Sequence, residues 1–178
     1  MQRTQTGGFI CWGWSVNGRS TIKHLSDFST QVSDGGVHSH ITHLYALLET
    51  AKEMEVPECY IHFFGDGRDT APRSAKKYCE ELIDFTKKLE YGEIATVVGR
   101  YYAMDRDKRW ERVKIAVDGL VQGVGQETDD VLALIEEKYK EDQTDEFLKP
   151  IICGGPKSRI QGTPIFIGSE TILMEELD

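Results

Sequence analysis

Apolar positions along the chain alternate between two kinds of pattern. Over residues 41–54 they fall at Ile41, Leu44, Tyr45, Leu47, Leu48, Ala51 and Met54, the spacing of a helix with one buried face. Ser39 stands where an N-cap belongs. The run CYIHFF at residues 59–64 is continuous and aromatic-rich, which predicts a buried strand. GDGRDTAPR breaks it with two glycines and a proline. Helical spacing returns over residues 74–89, with Tyr78, Leu82, Phe85 and Leu89 on one face, and residues 94–98 read as a second buried strand. GRYYAMDRD follows as a loop. Trp110, Val113, Val117, Leu120 and Val121 then mark a third helix, and residues 128–139 a fourth, with Thr128 as its cap. Residues 121–128 form only a connection, and TIKHLSDFSTQ, just before Ser33, lacks the apolar run of a strand.

Strands alternating with helices predict an α/β fold: a mostly parallel sheet with helices on both faces, built from right-handed β-α-β units. In such a sheet every strand-to-helix loop emerges at one edge, where ligands bind. GDGRDTAPR and GRYYAMDRD are loops of this kind, and SDGGVHSH also leads into a helix. Together they carry Asp34, His38, His40 and His43; Asp66, Arg68 and Asp69; and Arg100, Asp105, Arg106, Asp107 and Arg109. An arginine fork donates two parallel hydrogen bonds to phosphate or carboxylate. Gly35, Gly36, Gly65, Gly67 and Gly99 allow close approach of the backbone. A small anionic ligand is therefore expected at this edge.

Composition narrows the field further. The chain has 178 residues, of which 39% are hydrophobic and 29% charged, and carries a formal charge of −9. So acidic a chain is ill suited to neutralising nucleic-acid phosphates. It has no apolar run long enough to span a bilayer, and the apolar stretch in MQRTQTGGFICWGW is too short for a secretory signal. Cys11, Cys59, Cys79 and Cys153 are widely spaced, which argues against a zinc site and a disulfide framework and makes a reduced, cytoplasmic protein the expectation.

Each signal has a competing reading. Gly-Arg-Asp after a strand also suits an ordinary turn with an internal ion pair. Lys108 and Arg112 read as the solvated first turn of a helix, His43 as a structural helix residue and His62 as a core histidine. Two histidines around one residue, here His38 and His40, can hold zinc in a metal-dependent hydrolase. Such a site needs further ligands from later strand ends, and none supplies a histidine.

SDGGVHSH, FFGDGRDTAP and GRYYAMDRDKRWERV, in that order, closely resemble the cofactor-independent phosphoglycerate mutase family, which uses no 2,3-bisphosphoglycerate. The resemblance runs from Ser33 to about Pro150 and includes DEFLKP. It implies interconversion of 3-phosphoglycerate and 2-phosphoglycerate in glycolysis and gluconeogenesis. It also implies a two-domain enzyme: a phosphatase-like domain with two manganese ions and a phosphorylated serine, and an inserted phosphotransferase domain holding phosphoglycerate. This chain resembles the inserted domain alone. By motif position His38, Arg68, Asp69, Arg100 and Arg106 would bind substrate, Asp69 would exchange a proton with the glycerate hydroxyls, and His40 would serve the loop and the start of the helix. No metal is expected on this chain. Its expected partners are the two phosphoglycerates and the phosphatase-like domain, with no nucleic acid and no membrane.

The expected division is an atypical segment 1–32, the phosphotransferase-like domain at 33–153 and an atypical segment 154–178. The family's paired-arginine stretch after Cys153 is replaced by GGPKSRIQGTPIFIGSETILMEELD. A non-catalytic phosphoglycerate-binding module, or a truncated remnant, is the alternative expectation.

Overall fold

A computed structural model describes residues 26–160 and 165–167. Cys11, His24 and most of the C-terminal GTPIFIGSETILMEELD lie outside the described residues. The strands are β1 (Ser26–Gln31), β2 (Cys59–Gly65), β3 (Glu93–Gly99), β4 (Gln126–Glu127), β5 (Ile151–Ile152) and β6 (Ile165–Ile167). The helices are α1 (Ile41–Glu53), α2 (Ala75–Leu89), the short α3 (Arg100–Ala103), α4 (Trp110–Val117) and α5 (Val131–Lys140). The strands form one sheet in the order β4-β5-β3-β2-β1-β6, in which only the β3–β5 pair is antiparallel.

Every residue of β2 is buried, because the strand is central and covered on both faces. Its side chains alternate between two cores. Ile61 and Phe63 join Leu44 and Leu48 of α1, Leu82 of α2 and Ile135 of α5. Phe64 joins Val98 of β3, Val113 and Ala116 of α4, and Leu120. Helices thus lie on both faces of a mostly parallel sheet, as the alternation of patterns predicts.

Several details differ from the sequence reading. TIKHLSDFSTQ contains a strand, β1, paired in parallel with β2 from Ser26↔Cys59 to Gln31↔Phe64. Pairing on both sides carries this strand although only Phe28 is a large apolar residue. Its buried polar side chains are partly matched locally: Thr30 Oγ1 donates to Ser39 Oγ at 2.9 Å. GRYYAMDRD opens with the helical turn α3 rather than a loop. The cap of α5 is Asp130, whose carboxylate accepts from the Ala133 amide at 3.0 Å; Thr128 only braces the Asp130 amide. Trp110, assigned to a buried face, is 44% exposed. The two-residue strands β4 and β5 carry too little pattern to be read in advance.

Candidate active site

The loops leaving β1, β2 and β3 meet at one edge of the sheet, and a one-turn 3-10 helix, Asp145–Phe147, closes over them. That turn is tightly seated. A Cβ on Gly65 would lie 2.7 Å from the Asp145 carbonyl oxygen, and one on Gly99 would be closer still to the Glu146 carbonyl. Glycine at both strand ends is therefore what admits the turn. The Gly99 amide donates to the Leu148 carbonyl at 2.7 Å. Asp145 is fully buried and anchors the turn from below. Its carboxylate accepts from the Ser74 and Ala75 amides, each at 2.8 Å, and from the Tyr139 hydroxyl at 2.5 Å. It thereby caps α2 from about 70 residues away. Burial pushes the Asp145 carboxyl above its usual range, against the opposing hydrogen bonds from Tyr139, Ser74 and Ala75.

Between the loops lies a cavity of about 520 Å³. All five expected ligand-binding residues, His38, Arg68, Asp69, Arg100 and Arg106, line it, although the chain separates them by up to 68 positions. Asp66 organises the floor. Its Oδ1 accepts from the Arg68 amide (3.2 Å), the Asp69 amide (3.0 Å) and Arg100 Nη1 (2.9 Å); its Oδ2 accepts from the Ser33 hydroxyl (2.7 Å). Burial alone would raise this carboxyl, but bonds from the Asp69 amide, Ser33, the Arg68 amide and Arg100 outweigh it and hold it below the usual carboxylate range. Asp66 thus ties the first, second and third loops together. The sequence reading placed it in the loop without a role; its Asp-Gly-x-x spacing, which suits an Asx-turn, is the signal that could have found it.

Arg100 spans the same three loops from above. Nη1 donates to Asp66 and, at 2.5 Å, to Asp69 Oδ2, while Nη2 donates to His38 Nε2 at 3.0 Å. Because a guanidinium only donates, His38 accepts here as a neutral imidazole with its proton on Nδ1. His40 faces elsewhere. Its Nδ1 accepts from the Thr42 amide at 3.3 Å, making it the N-cap of α1 in place of Ser39, which is buried and donates to the Gln31 carbonyl. The two histidines therefore do not converge on a common point, and no cluster of three or more potential metal ligands occurs among the described residues. His62 is a fully buried core histidine beside Thr96 Oγ1 at 2.9 Å.

Two cavity-lining residues come from outside the three loops. Glu146 arrives with the 3-10 turn. Arg112, read from sequence as solvated, lies over the Tyr101 ring with its Cζ 3.8 Å from the ring centroid. Lys108 and Arg109 are exposed and do not line the cavity. Arg159 packs beside Gly123, away from the cavity. The arrangement as a whole can hold a small polyanion against guanidinium donors, with a fixed carboxylate and a neutral imidazole alongside.

Known proteins resemble the chain in sequence and in fold. A relative from Onchocerca volvulus, "2,3-bisphosphoglycerate-independent phosphoglycerate mutase", is 61% identical over 149 residues, covering 82% of this chain and 29% of the relative. The protein of the same name from Caenorhabditis elegans is 51% identical over 151 residues, covering 82% and 28%. The chain thus spans under a third of the length of the curated relatives it matches. The fold is also that of a Leishmania mexicana phosphoglycerate mutase crystal structure, with a TM-score of 0.76 and 24% identity over 86% of this chain and 32% of that one. The family profile described as "BPG-independent PGAM N-terminus" matches residues 20–167, and the chain belongs to that family.

Proposed function

We propose that this domain holds phosphoglycerate for a mutase that interconverts 3-phosphoglycerate and 2-phosphoglycerate in glycolysis and gluconeogenesis. The observation that carries this reading is the convergence of Arg68, Arg100, Arg106, His38 and Asp69 on one cavity. Phosphoryl transfer depends mainly on positioning and on neutralising charge. The arginines supply neutralisation. Asp69, held by Arg100, takes and returns a proton at a glycerate hydroxyl, and His38, neutral at Nε2, fixes the ligand beside it.

The described residues do not form a manganese site. On this reading manganese and the phosphorylated serine belong to a phosphatase-like domain that acts as partner to this one. The enzyme works in the cytoplasm; no helix among the described residues is long and apolar enough to cross a membrane. On their own these residues hold phosphoglycerate, and turnover calls on the phosphatase-like partner domain.

Calorimetric titration with 3-phosphoglycerate tests the assignment. One charge-assisted hydrogen bond is worth about 1.5–3 kcal/mol, so Arg68→Ala and Arg106→Ala should each weaken binding by about tenfold to a hundredfold. Asp69→Ala should weaken it less. Unchanged affinity in both arginine variants would overturn the proposal.

A further inference from the structure

Four guanidinium groups line the cavity, those of Arg68, Arg100, Arg106 and Arg112, together with the carboxylates of Asp69, Asp105, Asp107 and Glu146. With charges so evenly matched, a bound anion depends on donors that the protein's own carboxylates leave unused. Arg100 is largely occupied, by Asp66, Asp69 and His38. Arg112 is not. The one hydrogen bond of its side chain among the described residues is a long contact of 3.4 Å from Nη1 to Asp105 Oδ1. The other oxygen of Asp105 accepts from the Arg109 amide at 2.8 Å, which fixes the carboxylate. The Arg112 side chain is only 21% exposed and sits on the face of Tyr101, whose ring packs against Phe147 at 5.0 Å between centroids. A guanidinium held by its face keeps its N–H groups directed outward in its own plane, the geometry that takes an anion by two bonds.

We infer that Arg112, stacked on Tyr101, forms a second anion subsite in this cavity and takes one of the two charged ends of a doubly anionic ligand. The inference rests on the phosphoglycerate reading and deepens it: the cavity recognises a molecule with anionic groups at both ends, and Arg112 contributes to that selectivity. Arg112 is the anion-binding residue, and Tyr101 positions it.

The test titrates the full chain with 3-phosphoglycerate and, by competition, with two single-ended probes: glycerol 3-phosphate and glycerate. Arg112→Ala should weaken 3-phosphoglycerate by about tenfold or more and weaken one single-ended probe, leaving the other within about twofold of wild type. Arg112→Lys, which keeps the charge but loses the fork, should recover only part of the loss. Tyr101→Phe should bind like wild type, and Tyr101→Ala should weaken the same probe as Arg112→Ala. Arg109→Ala, three residues before Arg112 but outside the cavity, should change none of the three. Wild-type affinity for 3-phosphoglycerate in Arg112→Ala, or equal loss of both single-ended probes, overturns the subsite while leaving the phosphoglycerate reading in place. A wild-type chain that binds no 3-phosphoglycerate overturns both.

Discussion

Removing the Arg100 guanidinium is the sharpest test of how the candidate site is built. Its side chain is 11% exposed, and the Asp66 carboxylate that it meets is 2% exposed. Breaking a buried pair by deleting one partner typically costs about 3–5 kcal/mol. Asp66 keeps its bonds from the Ser33 hydroxyl and the Arg68 and Asp69 amides, so about 2–3 kcal/mol is the better expectation for Arg100→Ala. At about 2–4 °C per kcal/mol for a chain of this size, the melting temperature at pH 7 should fall by about 4–12 °C. The loss should also depend on pH in a definite direction. The folded pKa of Asp66 lies below its ordinary value. It therefore contributes stability that is present above the unfolded pKa, about 3.9, and is lost as pH falls through the folded pKa. Arg100 helps to hold that pKa down, so the gap between wild type and Arg100→Ala should be widest near neutrality and shrink below about pH 4. Adding Asp66→Asn to Arg100→Ala should be less damaging than the sum of the single changes, because the stranded charge goes with its partner. Thermal melts at pH 7 and pH 3 decide the matter. An unchanged melting temperature at pH 7, or an equal deficit at both pH values, would refute the reasoning.

Other consequences follow from the same geometry. Asp145→Ala strands the Tyr139 hydroxyl and the Ser74 and Ala75 amides at once, and should cost about 3 kcal/mol or more in urea unfolding; a loss below about 1 kcal/mol would mean that the turn is anchored otherwise. Gly65→Ala places a methyl 2.7 Å from the Asp145 carbonyl and should lower both stability and 3-phosphoglycerate affinity, whereas Gly155→Ala, with nothing within 4 Å, should alter neither. In an enolase-coupled assay the 178 residues alone should show no conversion of 3- to 2-phosphoglycerate with or without manganese; manganese-dependent conversion would contradict the two-domain reading.

Sequence pattern reached far where burial is two-sided or helical. Cys59–Gly65 and Ala75–Leu89 carry unbroken or periodic apolar signals, and both lie within about one residue of their expected limits. It failed where pairing, not side-chain chemistry, makes the structure. Ser26–Gln31 is a strand because neighbours flank it on both sides, and Ile151–Ile152 because β3 and β4 do. The shared edge of the strand-end loops was legible from the alternation of strands and helices, whereas the choice of His38, Arg68, Asp69, Arg100 and Arg106 within those loops came from the family resemblance. Asp66 and Asp145 were not legible, since their roles depend on partners 33–34 and 70–71 positions away. Arg112 escaped for another reason: a charged residue in the first turn of a helix looks solvated until Tyr101 is seen beneath it.

A crystal structure of the chain with 3-phosphoglycerate tests the central claim most directly. The ligand should occupy the cavity at the strand ends, with one anionic end on Arg68 or Arg106, its hydroxyl within hydrogen-bond reach of Asp69 and His38, and its other end on Arg112. Phosphoglycerate bound elsewhere on the domain, with these side chains untouched, would contradict the assignment.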